Sequence, residues 1–226
     1  MATSMPATLR NRIVDAALEL AGERGWANVR LYQVAERAGV SLAQVGAEFR
    51  DQDALANAWF ARALAALESL PEGAIAGRPA PERLHVAMMR WFDALAPQRE
   101  LTVQMLEAKL YLSHPHHWVP MIFDLSRLIH WFLDAARIAS TGRARQLAEV
   151  GLTAIFLSTL SVWRRDDTVD QERTRAYLRR RLAQSDRWFG RLARLTARRI
   201  APGAGGAVTR GEYASGERRR ARRQPR

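Results

Sequence analysis

The chain of 226 residues is 48% hydrophobic and contains no cysteine, so it can bury a sizeable core but can build neither a disulfide framework nor a thiolate metal or redox site. Its formal net charge of +12 invites a polyanionic partner, yet the charge is lopsided: residues 1–70 hold 7 Arg against 8 Asp plus Glu, whereas residues 173–226 hold 17 Arg against 3. The opening MATSMPATLRNR has no apolar signal core and no later run reaches the uninterrupted length of a bilayer span, so a soluble protein of a reducing cytoplasm is expected.

In chain order, Thr8 is placed to cap a first helix carrying Ile13, Ala16, Ala17, Leu20 and Ala21 at helical spacing and ending at Gly25, with Trp26 packing the turn. A second helix is expected over 31–38, a turn at Gly39 with Val40 in the corner, and a third helix over 42–49 capped by Ser41. Val45 and Phe49, four residues apart, point inward, which leaves Leu42, Ala43, Gln44, Ala47 and Glu48 outward. This is a helix-turn-helix, whose outward side enters the major groove in a DNA reader. A fourth helix starts near Asp51 and runs through Leu55, Trp59, Phe60, Leu64 and Leu67.

The Pro- and Gly-rich stretch 71–82 is a linker, after which Pro81 and Glu82 open a helix with Leu84, Met88, Trp91, Phe92 and Leu95 that Pro97 should stop. Further helices are expected over 99–112, 121–139 and 143–163, the second of these apolar nearly all round and so central to a bundle. Thr168, Asp170 and Glu172 suit the start of a last long helix reaching Ile200, their acidic side chains serving as cap and dipole partners rather than as a cation site. No strand alternation and no fixed-period repeat is present; the fold is read as all-α, and the Gly/Ala-rich then Arg-rich tail 201–226 as disordered.

The blocks RNRIVDAALELAGERGW, VAERAGVS and F-x-D-x-D-A-L between Arg10 and Leu55 resemble, in order and spacing, the N-terminal domain of the TetR family of bacterial transcriptional regulators. The resemblance implies a helix-turn-helix head (8–55), a helical ligand-binding and dimerisation body (56–200), a homodimer, operator DNA as partner and a small apolar ligand. It carries the DNA-facing role to Arg30, Tyr32, Ser41, Leu42, Ala43, Gln44, Ala47 and Arg50. The chain departs from the family pattern on that face: Arg30 replaces a small hydroxyl cap, Tyr32 a basic residue, and Gln52 a lysine. The run 42–49 replaces Lys-Gly-Thr-Leu-Tyr-x-His-Phe.

Catalytic signatures are absent: there is no nucleophile elbow, P-loop, zincin helix or dinucleotide fingerprint, so neither an enzyme nor a cofactor is expected. His114, His116 and His117 are read as a solvated loop or pocket rim rather than a metal site, because Pro115 interrupts them and no carboxylate is near. Large side chains of the body, namely Trp91, Phe92, Met105, Tyr111, Trp118, Met121, Phe132 and Phe156, are candidates to line a cavity for the apolar ligand, against the plainer reading of core packing. Lys109, the one lysine among 35 Lys plus Arg, is read as a result of GC-rich coding.

A second resemblance lies in 155–182, IFLSTLSVWRRDDTVDQERTRAYLRRRL, which is similar to the C-terminal part of the Coq-nine family of lipid-binding ubiquinone-biosynthesis proteins, sharers of the same fold that do not read DNA. It implies the alternative of a lipid-binding accessory protein at the inner membrane face. There, Trp188, Phe189, Leu192 and Leu195 would form the apolar side of a basic amphipathic helix making peripheral membrane contact.

Overall fold

The computed structural model describes residues 8–109, 115–139 and 141–185, which belong to one unit, Met1–Trp188. Helix α1 (Leu9–Arg24) starts where Thr8 Oγ1 accepts the Asn11 N–H at 3.3 Å and buries Ile13, Val14, Ala17 and Leu20. Helix α2 (Leu31–Ala38) lacks a hydroxyl cap, since Arg30 stands there; instead the Gln33 side chain accepts the Arg30 N–H at 3.2 Å. Gly39 takes the left-handed conformation (φ 66°) that closes α2 and lets the Val40 N–H bond back to the Ala35 carbonyl at 3.0 Å, turning the chain into α3 (Leu42–Glu48). Val45 and Phe49 are fully buried beneath α3, as their spacing requires.

Helix α4 (Gln52–Glu68) is capped by Asp51, whose carboxylate accepts the Ala54 N–H at 2.7 Å. It crosses residues 55–56 without a break, packing on α1 and then on α5 (Ala80–Leu95) and α7 (Pro115–Ala135). Pro97 does not end the helical path. It lies in a 3-10 turn, Ala96–Gln98, that leads straight into α6 (Arg99–Lys109), where its missing N–H leaves no helical bond unmade. Helix α7 begins at Pro115 rather than at Met121, so His116 and His117 belong to its first turn and not to a loop; Pro115 occupies a first position that needs no donor. His114 lies outside the described residues.

Helix α8 (Gly142–Trp163) and a helix α9 over 172–185 complete the described body, with a 3-10 turn Val169–Gln171 before α9 where the last long helix was expected to start at Thr168. The expected continuation to Ile200, including Trp188, Phe189, Leu192 and Leu195, and the tail 201–226 lie outside the described residues. No strand occurs among the described residues.

The body core is aromatic. Phe92 stacks on Phe156 at 5.7 Å and meets Trp163 at 5.5 Å, Trp91 meets Phe156 edge-on at 5.4 Å, and Phe132 closes the group, tying α5, α7 and α8 together. With a mean hydropathy of 1.3 over 18 residues, α8 is long and apolar enough to cross a membrane, where no such run was expected. Leu152, Ile155, Phe156 and Trp163 are nonetheless buried in this core, while Leu147, Val150 and Leu157 are exposed on another side of the same helix.

Candidate DNA-facing surface and ligand cavity

Two places stand out, the outer face of α3 and a cavity in the body beside α4. On α3, Leu42, Ala43, Gly46 and Ala47 lie on one exposed face, with Leu42 at 53% exposure. No charged group stands among them, and a Cβ built at Gly46 would meet no atom within 4 Å. Ser41 and Gln44 are exposed but occupied with each other. Ser41 Oγ accepts the Gln44 N–H at 3.2 Å, and Gln44 Oε1 accepts the Ser41 N–H at 2.9 Å, which leaves the Gln44 amide NH2 as the group available to an outside acceptor.

The cations of the head are largely engaged at home. Arg30 donates to the carbonyls of Ala27 (2.8 Å) and Val29 (3.0 Å), so its guanidinium folds back on the chain and does not extend outward. Arg10 donates to the Glu48 carbonyl at 2.9 Å and lies over the Phe49 ring; Arg37 pairs with Glu23 at 2.8 Å, holding that carboxylate's pKa below its ordinary range; and Arg62 pairs with Asp15 at 2.5 Å. Arg50, whose side chain is 82% exposed and whose described ion pair is with its neighbour Asp51, is an available cation of the head, and Tyr32 is 54% exposed. Gln52, standing where a lysine was expected, donates to the Trp26 carbonyl at 2.5 Å and is therefore a fastener of the turn.

The cavity, of about 510 Å³, lies among α4, α5, α6, α7 and α8. Asn57, Phe60 and Leu64 of α4, Trp91 of α5, Leu106 and Lys109 of α6, Leu125 and Leu128 of α7, and Phe156, Leu157 and Leu160 of α8 line it. Of the side chains expected there, Trp91 and Phe156 do line it, whereas Phe92, Met105 and Phe132 are packed in the core behind and the side chains of Tyr111, Trp118 and Met121 lie outside the described residues. The polar groups of the lining differ in exposure. Asp124 and Arg127 pair with each other at 3.5 Å at the exposed rim, while Lys109 is 6% exposed and donates to Asp53 and, at 2.8 Å, to Asn57.

Sequence reasoning passed over Asn57 and read Lys109 only as a by-product of GC-rich coding, although a lone lysine in an arginine-dominated chain was a signal. The same helix α6 reaches the head. Gln104 accepts the Trp26 N–H at 2.7 Å, and Thr102 accepts the Trp59 indole N–H at 2.9 Å, so α6 is tied both to the α1–α2 turn and to α4.

Residues 13–59 match the family described as bacterial regulatory proteins, tetR family. The chain is 39% identical to a TetR transcriptional regulator from Nitrosomonas europaea ATCC 19718, aligning over 78% of this chain and 97% of that one with a TM-score of 0.69. It also superimposes on a TetR regulator from Rhodococcus sp. RHA1 (19% identity, 80% and 96% covered, TM-score 0.58) and on PfmR from Thermus thermophilus (21%, 76% and 97%, TM-score 0.52), likenesses of fold. No curated protein matches the chain. With the helix-turn-helix, the all-helical body and a relative of this identity in agreement, the chain belongs to the TetR family of bacterial transcriptional regulators.

Proposed function

We propose that the protein acts in the cytoplasm as a homodimeric regulator that reads operator DNA with α3 and answers to a small apolar molecule held in the body cavity. The observation that carries the DNA reading is the slim apolar face of α3. Leu42, Ala43 and Ala47 offer contacts to thymine methyl groups, Gly46 lets the backbone approach the groove edge, and the Gln44 amide offers one donor to a base acceptor. Recognition by methyl contact suits a head whose arginines are mostly tied up in internal bonds; Arg50 and the exposed Tyr32 and Ser41 supply phosphate contacts.

The dimer rests on Leu147, Val150 and Leu157, an exposed apolar row at spacings of 3 and 7 residues along α8 that a second copy of the chain would cover. The cavity supplies the control. A ligand that prefers one setting of α4 shifts the spacing of the two heads, and a 100-fold loss of operator affinity needs a preference of about 2.7 kcal/mol.

The test is selection of duplexes from a random pool by the full chain with excess non-specific competitor, repeated with a pool in which deoxyuridine replaces thymidine. The expected result is a two-half-site consensus rich in thymine at the α3 positions, bound at least 10-fold more weakly when the methyl groups are missing. No enriched site in the thymidine pool would end the operator-reading proposal, and equal binding of both duplexes would end the methyl-contact part alone.

A further inference from the structure

The cavity is walled mainly by apolar side chains, and one nearly buried cation, Lys109, lines it. We infer that its ligand is an apolar carboxylic acid whose carboxylate binds the Lys109 ammonium in place of Asp53. The inference rests on the ligand-cavity reading above and names the chemistry of that site.

Three observations carry it. First, Lys109 is the only lysine in the sequence, and it lines a cavity of about 510 Å³ whose walls include Phe60, Leu64, Trp91, Leu106, Leu125 and Phe156. A lysine ammonium is a compact, rotatable donor on a flexible stem, suited to passing from one oxygen to another in a narrow apolar space in a way that a planar guanidinium is not. Second, Lys109 is 6% exposed, and a charge that deep in an apolar wall needs an anion at all times; the protein supplies Asp53, with Asn57 as a second acceptor. A neutral ligand would leave that pair intact, whereas a carboxylate brought down the cavity offers the ammonium an equivalent partner and lets Asp53, 21% exposed on its side chain, return to water. Third, Asp53 is in the first turn of α4, two residues after the cap Asp51 and four after Phe49, the buried residue that ends α3. The exchange therefore removes the one described ion pair fastening the first turn of α4 to α6, so ligand chemistry and head position meet in the same bond. The pair Asp124–Arg127 is the only other charged group among the described lining residues, and with side chains 54% and 67% exposed it is solvated, so an anion gains far less there than beside the buried ammonium.

The experiment is calorimetric titration of the full chain with two matched pairs, dodecanoate against dodecanol and 2-naphthoate against 2-naphthylmethanol. At least one acid should bind 10-fold or more tightly than its alcohol. Lys109→Met should abolish that preference, and Asp53→Asn, which removes the competing anion but keeps Lys109, should tighten acid binding about 10-fold without changing alcohol binding. The Asp53→Asn response guards against misreading a folding defect of Lys109→Met, because a purely structural pair would give looser binding when broken. Alcohols binding as tightly as acids, or an unchanged acid affinity in Asp53→Asn, would overturn the carboxylate proposal while leaving the cavity reading in place. Binding of none of the four probes would overturn both.

Discussion

Asp166 is 1% exposed and still charged. Burial alone would push its pKa up, but donors from Thr168 (N–H 3.1 Å, Oγ1 2.5 Å) and Thr174 (N–H 2.8 Å, Oγ1 2.6 Å) outweigh that and hold it at about 2, against an ordinary 3.8. A carboxyl whose pKa is lowered by folding stabilises the fold fully above its unfolded value and loses that contribution as pH falls through the folded one. Asp166→Asn should therefore cost roughly 2 kcal/mol at pH 7, and the deficit against the parent chain in denaturant melts should shrink from pH 4 towards pH 2. Glu48 is the other residue with a clear assignment. It faces Arg10 at 3.4 Å at the end of α3, so Glu48→Gln removes a negative charge from the DNA-facing side and loosens a cation. Binding to non-specific duplex should strengthen several-fold, with a steeper dependence on salt, as read by titration at two ionic strengths.

Among the elements, α3 is the least ordinary. Gly46 weakens a seven-residue helix, and since a Cβ there meets nothing, Gly46→Ala should raise stability by ~1 kcal/mol. If the glycine is there for close approach to DNA, the same substitution weakens operator binding; a more stable variant with unchanged affinity would show that the glycine has no such role. The helix-turn-helix was legible in the sequence because its rules are local. A cap, a left-handed glycine and two apolar residues four apart are all decided within a dozen residues, and Ser41, Gly39, Val45 and Phe49 sit as their spacing demands. Pro97 misled because a proline stops a helix only where its missing N–H matters, and a 3-10 turn between two helices is a place where it does not. The cavity was half legible. Trp91 and Phe92 are neighbours on α5 with the same apolar character, and which of them faces the void depends on how α4, α7 and α8 meet across it, a relation among distant segments that periodicity within one helix does not contain.

At the scale of the whole molecule the exposed row on α8 and the cavity share a residue. Leu157 is 46% exposed and also lines the cavity, so a second chain seated on Leu147, Val150 and Leu157 would cover part of the cavity's opening. Val150→Glu, at a position 70% exposed that no core residue needs, should leave the fold intact and give monomers in sedimentation. It should also loosen ligand binding, although Val150 does not line the cavity. The α5–α9 seam adds a pH response. His85 is part-buried and donates through Nε2 to the Arg175 carbonyl at 3.1 Å, and burial chiefly pulls its pKa below 6.5. A histidine with a lowered pKa binds its proton more readily when unfolded, so the chain loses stability as pH falls below about 6.5. His85→Gln should flatten that part of the melting profile.

The lone lysine also makes the opening of the α4–α6 junction measurable in time. Apart from a terminal α-amine the sequence carries a single primary amine, so an amine-selective acylating reagent forms only one stable side-chain amide, at Lys109. Because that amine is buried and bonded to Asp53 and Asn57, it reacts only when the junction of α4 and α6 opens. Mass spectrometry of the adduct against time is then a clock for that opening, built into the natural sequence without any label being introduced.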